Sequence, residues 1–267
     1  MTQLRVFSYG GGVQSTAALV LAAQGRIDFP VFLFANVGAD SEHPDTVRYI
    51  SDIAIPYAAA HGIALHEVQR HTRKQAAPSL LVSTQQHPTE IAVPIRNAAG
   101  APFRRLCTKH YKTIPISRWT KSHGATSAIP AQIGLGISID EWHRANSQNY
   151  FAWHVNTYPL LDLRLNRADC VALIVSAGLP VPRKSACWFC PFTRMSEWVR
   201  MKQEDPALFA QACAFEADVI SKRQRRGLAP VYLTRFGRTL AELVGDQAMF
   251  DIQENELDFC ESGHCMT

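Results

Sequence analysis

The chain has 267 residues, 47% of them apolar and 19% charged, with a formal charge of +4. That is enough apolar sequence for one large or two small domains, too little charge for a disordered polymer, and too mild a basic bias for a dedicated nucleic-acid module. No run approaches the roughly 18 apolar residues of a membrane span, and no charged segment leads into a long apolar stretch at the N-terminus, so neither a membrane nor a signal peptide is expected and the chain reads as cytoplasmic.

In chain order, residues 5–9 (RVFSY) read as a strand, and residues 14–24 as a helix with Val13, Ala17, Val20 and Leu21 on one face. Residues 30–36 (PVFLFAN) form a continuous apolar run, as expected of a strand buried on both faces. Residues 45–61 read as helical, with Pro44 at a tolerated first-turn position and Pro56 expected to kink or split the helix. Residues 63–69 are the third strand. This β-α-β-α-β order implies an α/β fold, a Rossmann-like doubly wound parallel sheet with helices on both faces. Residues 70–106, rich in Pro, Gln, Ala and Arg, read as a long excursion or mobile lid. Residues 108–122 read as helical with a break at Pro115, and residues 127–136 as a fourth strand. Asn166 caps a helix over 166–177 that Gly178 and Pro180 stop, and residues 206–223 form another. The expected division is a nucleotide-binding α/β domain over 1–165 and a helical, cysteine-bearing C-terminal region over 166–267, packed as one unit with the first.

The stretch "SYGGGVQS" (8–15) lies between the first strand and the first helix. A strand, a glycine turn and a helix start gather backbone N–H groups and the positive helix end at one point, which suits an anion. A Walker A loop would need a lysine that is absent here, and a dinucleotide fingerprint would need a glycine where Ser15 stands. By itself the stretch is equally a tight turn.

These residues resemble the pyrophosphate loop of the PP-loop ATP pyrophosphatases, S-G-G-x-D-S. Gly11, Gly12 and Ser15 match, Gly10 stands at the first serine and Gln14 at the aspartate. Further motifs resemble the phosphoadenosine-phosphosulfate (PAPS) reductase-like branch of that superfamily. They are "FANVGADSEHPDT" (34–46), with Asn36 at the usual aspartate, "CTKHYKTIPI" (107–116), "GISIDEWHR" (136–144), with Ser138 for the usual arginine, "YPLLDL" (158–163) and "GLPVPRKSACWFCPF" (178–192). The resemblance implies ATP binding and cleavage between its α and β phosphates, or capture of an adenylated sulfur compound. It implies nucleotide contacts from Ser8, Gly10, Gly11, Gly12, Gln14 and Ser15 in the loop and from Asn36 and Gly38 after the second strand. Lys112 and Arg144 are candidate clamps on phosphoryl charge, their alternative being solvated helix faces. Glu141, beside Asp140, is a candidate for Mg²⁺ or substrate.

The seven cysteines, an odd count, suit reduced thiols. Cys187-x-x-Cys190 lets two thiolates reach one metal or cluster, with Arg183 and Lys184 nearby to favour thiolates. A soft site wants three or four such ligands, and Cys107 is the best third. In assimilatory sulfate-reducing relatives the corresponding cysteines hold a [4Fe-4S] cluster. By that resemblance Cys265, or Cys260, would be a fourth ligand here, with an open iron site and Zn²⁺ bound partly by His264 as alternatives. Cys170 and Cys213 read as core residues. Trp142, Trp153 and Trp188 could stack on a base or pack a core, and "RHTRK" (70–74) and "KRQRR" (222–226) could meet nucleic-acid phosphates or be solvated basic faces.

The leading expectation is therefore an ATP-dependent adenylating PP-loop enzyme that transfers sulfur through a [4Fe-4S] cluster to tRNA, DNA or a small molecule, with a possible sulfur-donor protein. The alternatives are thiol-dependent reduction of an adenylated sulfate, or a protein that binds the nucleotide without turnover.

Overall fold

In the computed structural model residues 3–72, 76–87, 91–145 and 149–245 are described. They divide into two compact units. Of the described residues, the first takes in those up to 77 and 108–185; the second takes in 78–107 and 186–245.

The first unit is built on a five-stranded, all-parallel sheet in the order β3-β2-β1-β4-β5. Its strands are β1 (Arg5–Tyr9), β2 (Val31–Asn36), β3 (Ala64–Gln69), β4 (Ala131–Leu135) and β5 (His154–Thr157). The expected α/β, Rossmann-like fold is the one observed. Alternation along β1 sends its side chains to opposite faces. Phe7 and Tyr9 join a core with α1 (Val13–Ala23) and α7 (Arg167–Ser176), whereas Val6 packs with Leu33, Ile133 and, from α5 (Ile114–Ser122), Ile116. Fully burying a side chain such as Phe7 or Leu33 contributes about 2–3 kcal/mol. Asn166 caps α7 as expected, through reciprocal bonds with Asp169.

The helix expected over 45–61 is continuous but changes pitch. It runs as α2 (Pro44–Tyr49), a π-helical turn (Ile50–Ala54) and α3 (Ile55–Ala60). Pro56 neither splits nor ends it. A proline inside a helix lacks an N–H, and its ring crowds the carbonyl four residues back. The wider turn absorbs this, and Ile55 N–H reaches five residues back to Ile50 O. Pro115 repeats the device: a π-helical turn (Thr108–Thr113) leads into α5, with the proline at the second helical position.

The second unit joins α4 (Leu80–Gln86) to α8 (Met195–Glu204), α9 (Pro206–Gln224) and α10 (Leu240–Gly245). Of residues 70–106, expected as a long excursion or lid, those from 78 on belong to this unit, where Leu80, Ile91, Val93 and Ile95 are buried. Trp188 and Phe189 pack against Phe215 of α9. The expected boundary at 165/166 falls inside the first unit, which keeps α7, and short α6 (Pro159–Asp162) precedes it there. Among the described residues, no helix is long and apolar enough to cross a membrane.

Candidate active site

β1 lies at the point where strand order reverses, with β2 on one side and β4 on the other. In open parallel sheets the crevice beyond the carboxyl ends of such strands is where ligands bind. The glycine loop leaves β1 at that point. Gly11 has φ of +76°, and a Cβ there would come within 3.0 Å of both Ile50 Cδ1 and Thr46 Cγ2. The position therefore demands glycine on two grounds, conformation and space. Gly12 is the N-cap of α1 and is locked by Ser15: Gly12 N donates to Ser15 Oγ at 3.1 Å, and Ser15 Oγ donates to Gly12 O at 3.0 Å. Gly136, just beyond β4, lies close enough that a Cβ would meet Ser15 N at 3.3 Å. The loop is thus a fixed frame at the start of an 11-residue helix, with no acidic residue in its first turn.

Gln14 is engaged. Arg167 Nη1 donates to Gln14 Oε1 at 3.2 Å, and the Arg167 backbone N–H donates to Asp140 Oδ2 at 2.6 Å. Asp140 also accepts from Ser138 Oγ at 3.3 Å. So Asp140 ties the 138–144 segment to the N-terminus of α7. Glu141 is paired with Arg144, Nη1 to Oε2 at 2.5 Å. The Arg144 side chain is only 8% exposed, and its Nε and Nη2 are buried without a hydrogen-bond partner among the described residues. That burial rules out a solvated helix face for Arg144. Two unmet guanidinium donors are costly unless an anion or water completes them.

On the β1–β4–β5 side a cleft is lined by Ser8, Ile133, Leu135, Lys112, Thr108, Tyr150, His154 and Asn156. Lys112 is half-buried there, on the π-helical turn that precedes Pro115. His154 pairs with Thr120 Oγ1 at 2.7 Å, and burial pushes its pKa down to about 4, so its ring is neutral at pH 7. Among the described residues that line the cleft, Lys112 is thus the one fixed cation.

Asn36 and Gly38 shape the loop after β2. Asn36 Oδ1 accepts from Gly38 N at 2.7 Å, and its Nδ2 donates to Glu67 Oε1 at 3.0 Å. The same loop carries Glu42, which lies inside the "FANVGADSEHPDT" motif without a signal of its own. Glu42 is 2% exposed, and its Oε1 has no hydrogen-bond partner among the described residues. Burial raises its pKa, and the charge of Lys112 works in the other direction. Arg183 and Arg48 both bond Asp45 at the start of α2. Burial acts to raise the pKa of Asp45, but these hydrogen bonds prevail and lower it. Arg183 is thus committed within the first unit.

Cys107, Cys187 and Cys190 all fall in the second unit and are half-buried. Cys190 N donates to Cys187 O at 3.1 Å, closing a tight turn, and Cys107 N donates to Ala92 O at 2.7 Å. Among the described residues, no group of three or more His, Cys, Asp or Glu side chains is placed to hold a metal ion. Cys260, His264 and Cys265 lie outside the described residues. Cys170 sits in the first core, where burial pushes its thiol up to about 12, and Cys213 is likewise raised by burial. Trp188 is a core residue and Trp153 donates to Ser117 Oγ at 3.1 Å, whereas Trp142 is 68% exposed. Residues 73–74 of the first basic run lie outside the described residues.

No protein-family model and no curated protein matches the chain. Among solved structures it is similar to the U34-tRNA thiolase NcsA from Methanococcus maripaludis with its [4Fe-4S] cluster. The identity is 13% and the TM-score 0.38, over 81% of this chain and 72% of that one. A likeness of that size carries no inference about the activity of this chain.

Proposed function

We propose that this chain is an ATP-binding PP-loop enzyme of the PAPS reductase-like branch, which cleaves between the α and β phosphates and adenylates an acceptor. The observation that carries the reading is the glycine loop. It leaves β1 at the reversal of strand order, requires glycine at Gly11, and opens onto a helix whose cap residue, Gly12, has no side chain to fill the anion position. In the reaction the acceptor's nucleophile bonds to the α-phosphorus, the bond to the bridging oxygen breaks, and pyrophosphate leaves into the loop. Ser8, Gly10 and Ser15 frame that loop, and Gln14 is held in place by Arg167. Arg144, oriented by Glu141, and Lys112 stabilise the charge on the transferring group. Glu42, buried beside the charge of Lys112, is the acidic group that would meet Mg²⁺ or the acceptor. Mg²⁺, when bound, neutralises phosphate charge.

The test is ATP-dependent pyrophosphate exchange, with AMP and pyrophosphate measured against an acceptor screen. Arg144→Gln is expected to lower the rate strongly while ATP still binds. Production of ADP and inorganic phosphate, or no nucleotide binding, would overturn the reading. Gln14 in place of the family's aspartate favours a second reading, binding without turnover. Tight ATP binding with no exchange identifies it.

The sulfur-transfer part of the proposal, through a [4Fe-4S] cluster on Cys107, Cys187, Cys190 and Cys265, rests on the motif resemblance. The described residues do not supply three gathered ligands, so no step is routed through the cluster. Iron and sulfide content of anaerobically purified protein tests it. Stoichiometric zinc with no iron would end it.

A further inference from the structure

The second unit concentrates positive charge by tertiary packing. Residues 91–107 contain Arg96, Arg104 and Arg105 and no acidic residue. Residues 222–238 contain Lys222, Arg223, Arg225, Arg226, Arg235 and Arg238, again with no acidic residue. Well over a hundred residues separate these stretches in sequence, yet they pair. Arg96 N donates to Tyr232 O at 2.9 Å, and Tyr232 N donates to Arg96 O at 2.8 Å. Their turns interlock more tightly still. A Cβ on Gly100 would lie 2.4 Å from Arg235 O, and one on Gly237 would lie 2.4 Å from Ala98 O. Both glycines have positive φ, +81° and +64°. Nine cations are thereby carried on one pair of joined segments.

Two of these cations serve the architecture. Arg96 is buried and bonds Gly100 O at 2.8 Å, and Arg223 bonds Ala229 O at 2.9 Å. Five others, Arg104, Arg225, Arg226, Arg235 and Arg238, are exposed. Aromatic rings stand among them. Phe103 is 38% exposed and lies beneath the Arg223 guanidinium at 5.6 Å; Phe236 is 39% exposed, with the Arg235 guanidinium over its ring at 5.2 Å. Among the described residues, the acidic groups set against this region are Asp218, paired with Lys222, Glu216, which accepts from Leu233 N at 2.6 Å, and Glu242, whose charge acts with that of Arg238. They do not offset the excess.

Guanidinium groups interleaved with exposed phenyl rings match one ligand chemistry. Arginines meet backbone phosphates, and flat apolar rings stack on bases that are not locked in a duplex. We propose that the joined 96–105 and 222–238 segments form a docking platform for unpaired nucleic acid. The platform deepens the acceptor side of the function proposed above and rests on that reading for its purpose. Its binding is measured without ATP, so the two can fail separately.

The experiment is fluorescence anisotropy on the full chain with labelled 12-nucleotide RNA and DNA single strands, the matching duplexes, and inorganic polyphosphate as competitor, across a salt series. Single strands are expected to bind at least tenfold tighter than duplexes, with the RNA and DNA arms telling which sugar is preferred. Phe103→Ala combined with Phe236→Ala should weaken single-strand binding by about tenfold or more, the lower part of the range for removing base stacking, at an unchanged salt slope. Arg235→Gln combined with Arg238→Gln should reduce the salt slope by about 0.7 for each phosphate no longer neutralised. Phe103→Leu with Phe236→Leu keeps the apolar volume and removes the aromatic faces; it should weaken binding likewise and covers the case in which the alanine variant misfolds. Equal binding of duplex and single strand, full competition by polyphosphate, or wild-type affinity in the leucine variant would overturn the proposal.

Discussion

The two units reach their folds by different routes. In the first, β1, β2 and β3 and the helices between them follow each other along the chain, and the runs expected as strands at 5–9, 30–36 and 63–69 form them close to where they were expected. The second is assembled from two segments with the whole β4–β5 region between them in sequence, joined through the Arg96–Tyr232 pair. Local pattern is therefore a good guide to the first unit and a poor one to the second. Long-range pairing, which leaves no periodic trace in either segment, decides the second.

The sharpest way to break that comparison is Gly100→Ala. The substitution places a Cβ 2.4 Å from a backbone oxygen at a residue with φ of +81°. Neither the clash nor the strain can be relieved by a side-chain rotation, so a loss of about 3 kcal/mol or more is expected. Hydrogen exchange read peptide by peptide should show reduced protection in 91–103 and in α9, with β1 and β2 unchanged. Equal loss in the β1–β2 peptides would show that the two units unfold as one and would remove the contrast.

Next in size is a pH effect confined to the second unit. Glu216 of α9 is buried and accepts from Leu233 N and Leu240 N, both at 2.6 Å. Burial raises its pKa to about 7, against the pull of those two bonds. A carboxyl with a raised folded-state pKa stabilises fully below its unfolded value, near 4.5, and loses that contribution as pH rises through about 7. The loss amounts to about 3 kcal/mol. Glu216→Gln should flatten the stability of the second unit between pH 4.5 and 7. A wild-type pH profile in that variant would assign the dependence elsewhere.

At the candidate site, Arg144→Gln is expected to reduce pyrophosphate exchange about 100-fold, the effect of removing one preorganised donor to developing charge. Arg144→Lys should recover only part of it, since a point charge cannot reproduce the fork. A change in either variant that appears only in the KM for ATP would move Arg144 from the reacting phosphate to simple binding.

The site was legible where a motif coincides with a local element. Gly11 and Gly12 fall between β1 and α1 and Ser15 in the first turn of α1, as the strand-turn-helix reading required. Arg144 could not be separated from a solvated helix face by spacing, because its burial depends on how the 138–144 segment folds. Glu42 stood in plain view within "SEHPDT", but nothing local tells a buried glutamate from an exposed one. Pro56 and Pro115 read as breaks, because a π-helical turn that absorbs a proline has no sequence signal beyond the proline itself. Residues 70–106 read as a lid because Ile91, Val93 and Ile95 are buried in a unit whose other segment begins only at 186.

Asn36 gives the smallest of these effects. The motif that this stretch resembles has an aspartate at its position, and the structure gives a physical reason for the amide here. Asn36 Nδ2 donates to Glu67 Oε1 at 3.0 Å, and Glu67 Oε1 also accepts from Gln69 Nε2 at 2.7 Å. An aspartate would keep the bond to Gly38 N but set a second carboxyl against Glu67. Asn36→Asp should therefore cost about 1–2 kcal/mol at pH 7. The sign follows from the new pair: the repulsion raises the carboxyl pKa values, so the missing stability returns as pH falls through them. Asn36→Asp with Glu67→Gln restores a donor opposite the carboxyl and should recover the loss at neutral pH. Failure of that double variant to recover would mean that the loop after β2 needs the Asn36 amide for something other than its bond to Glu67.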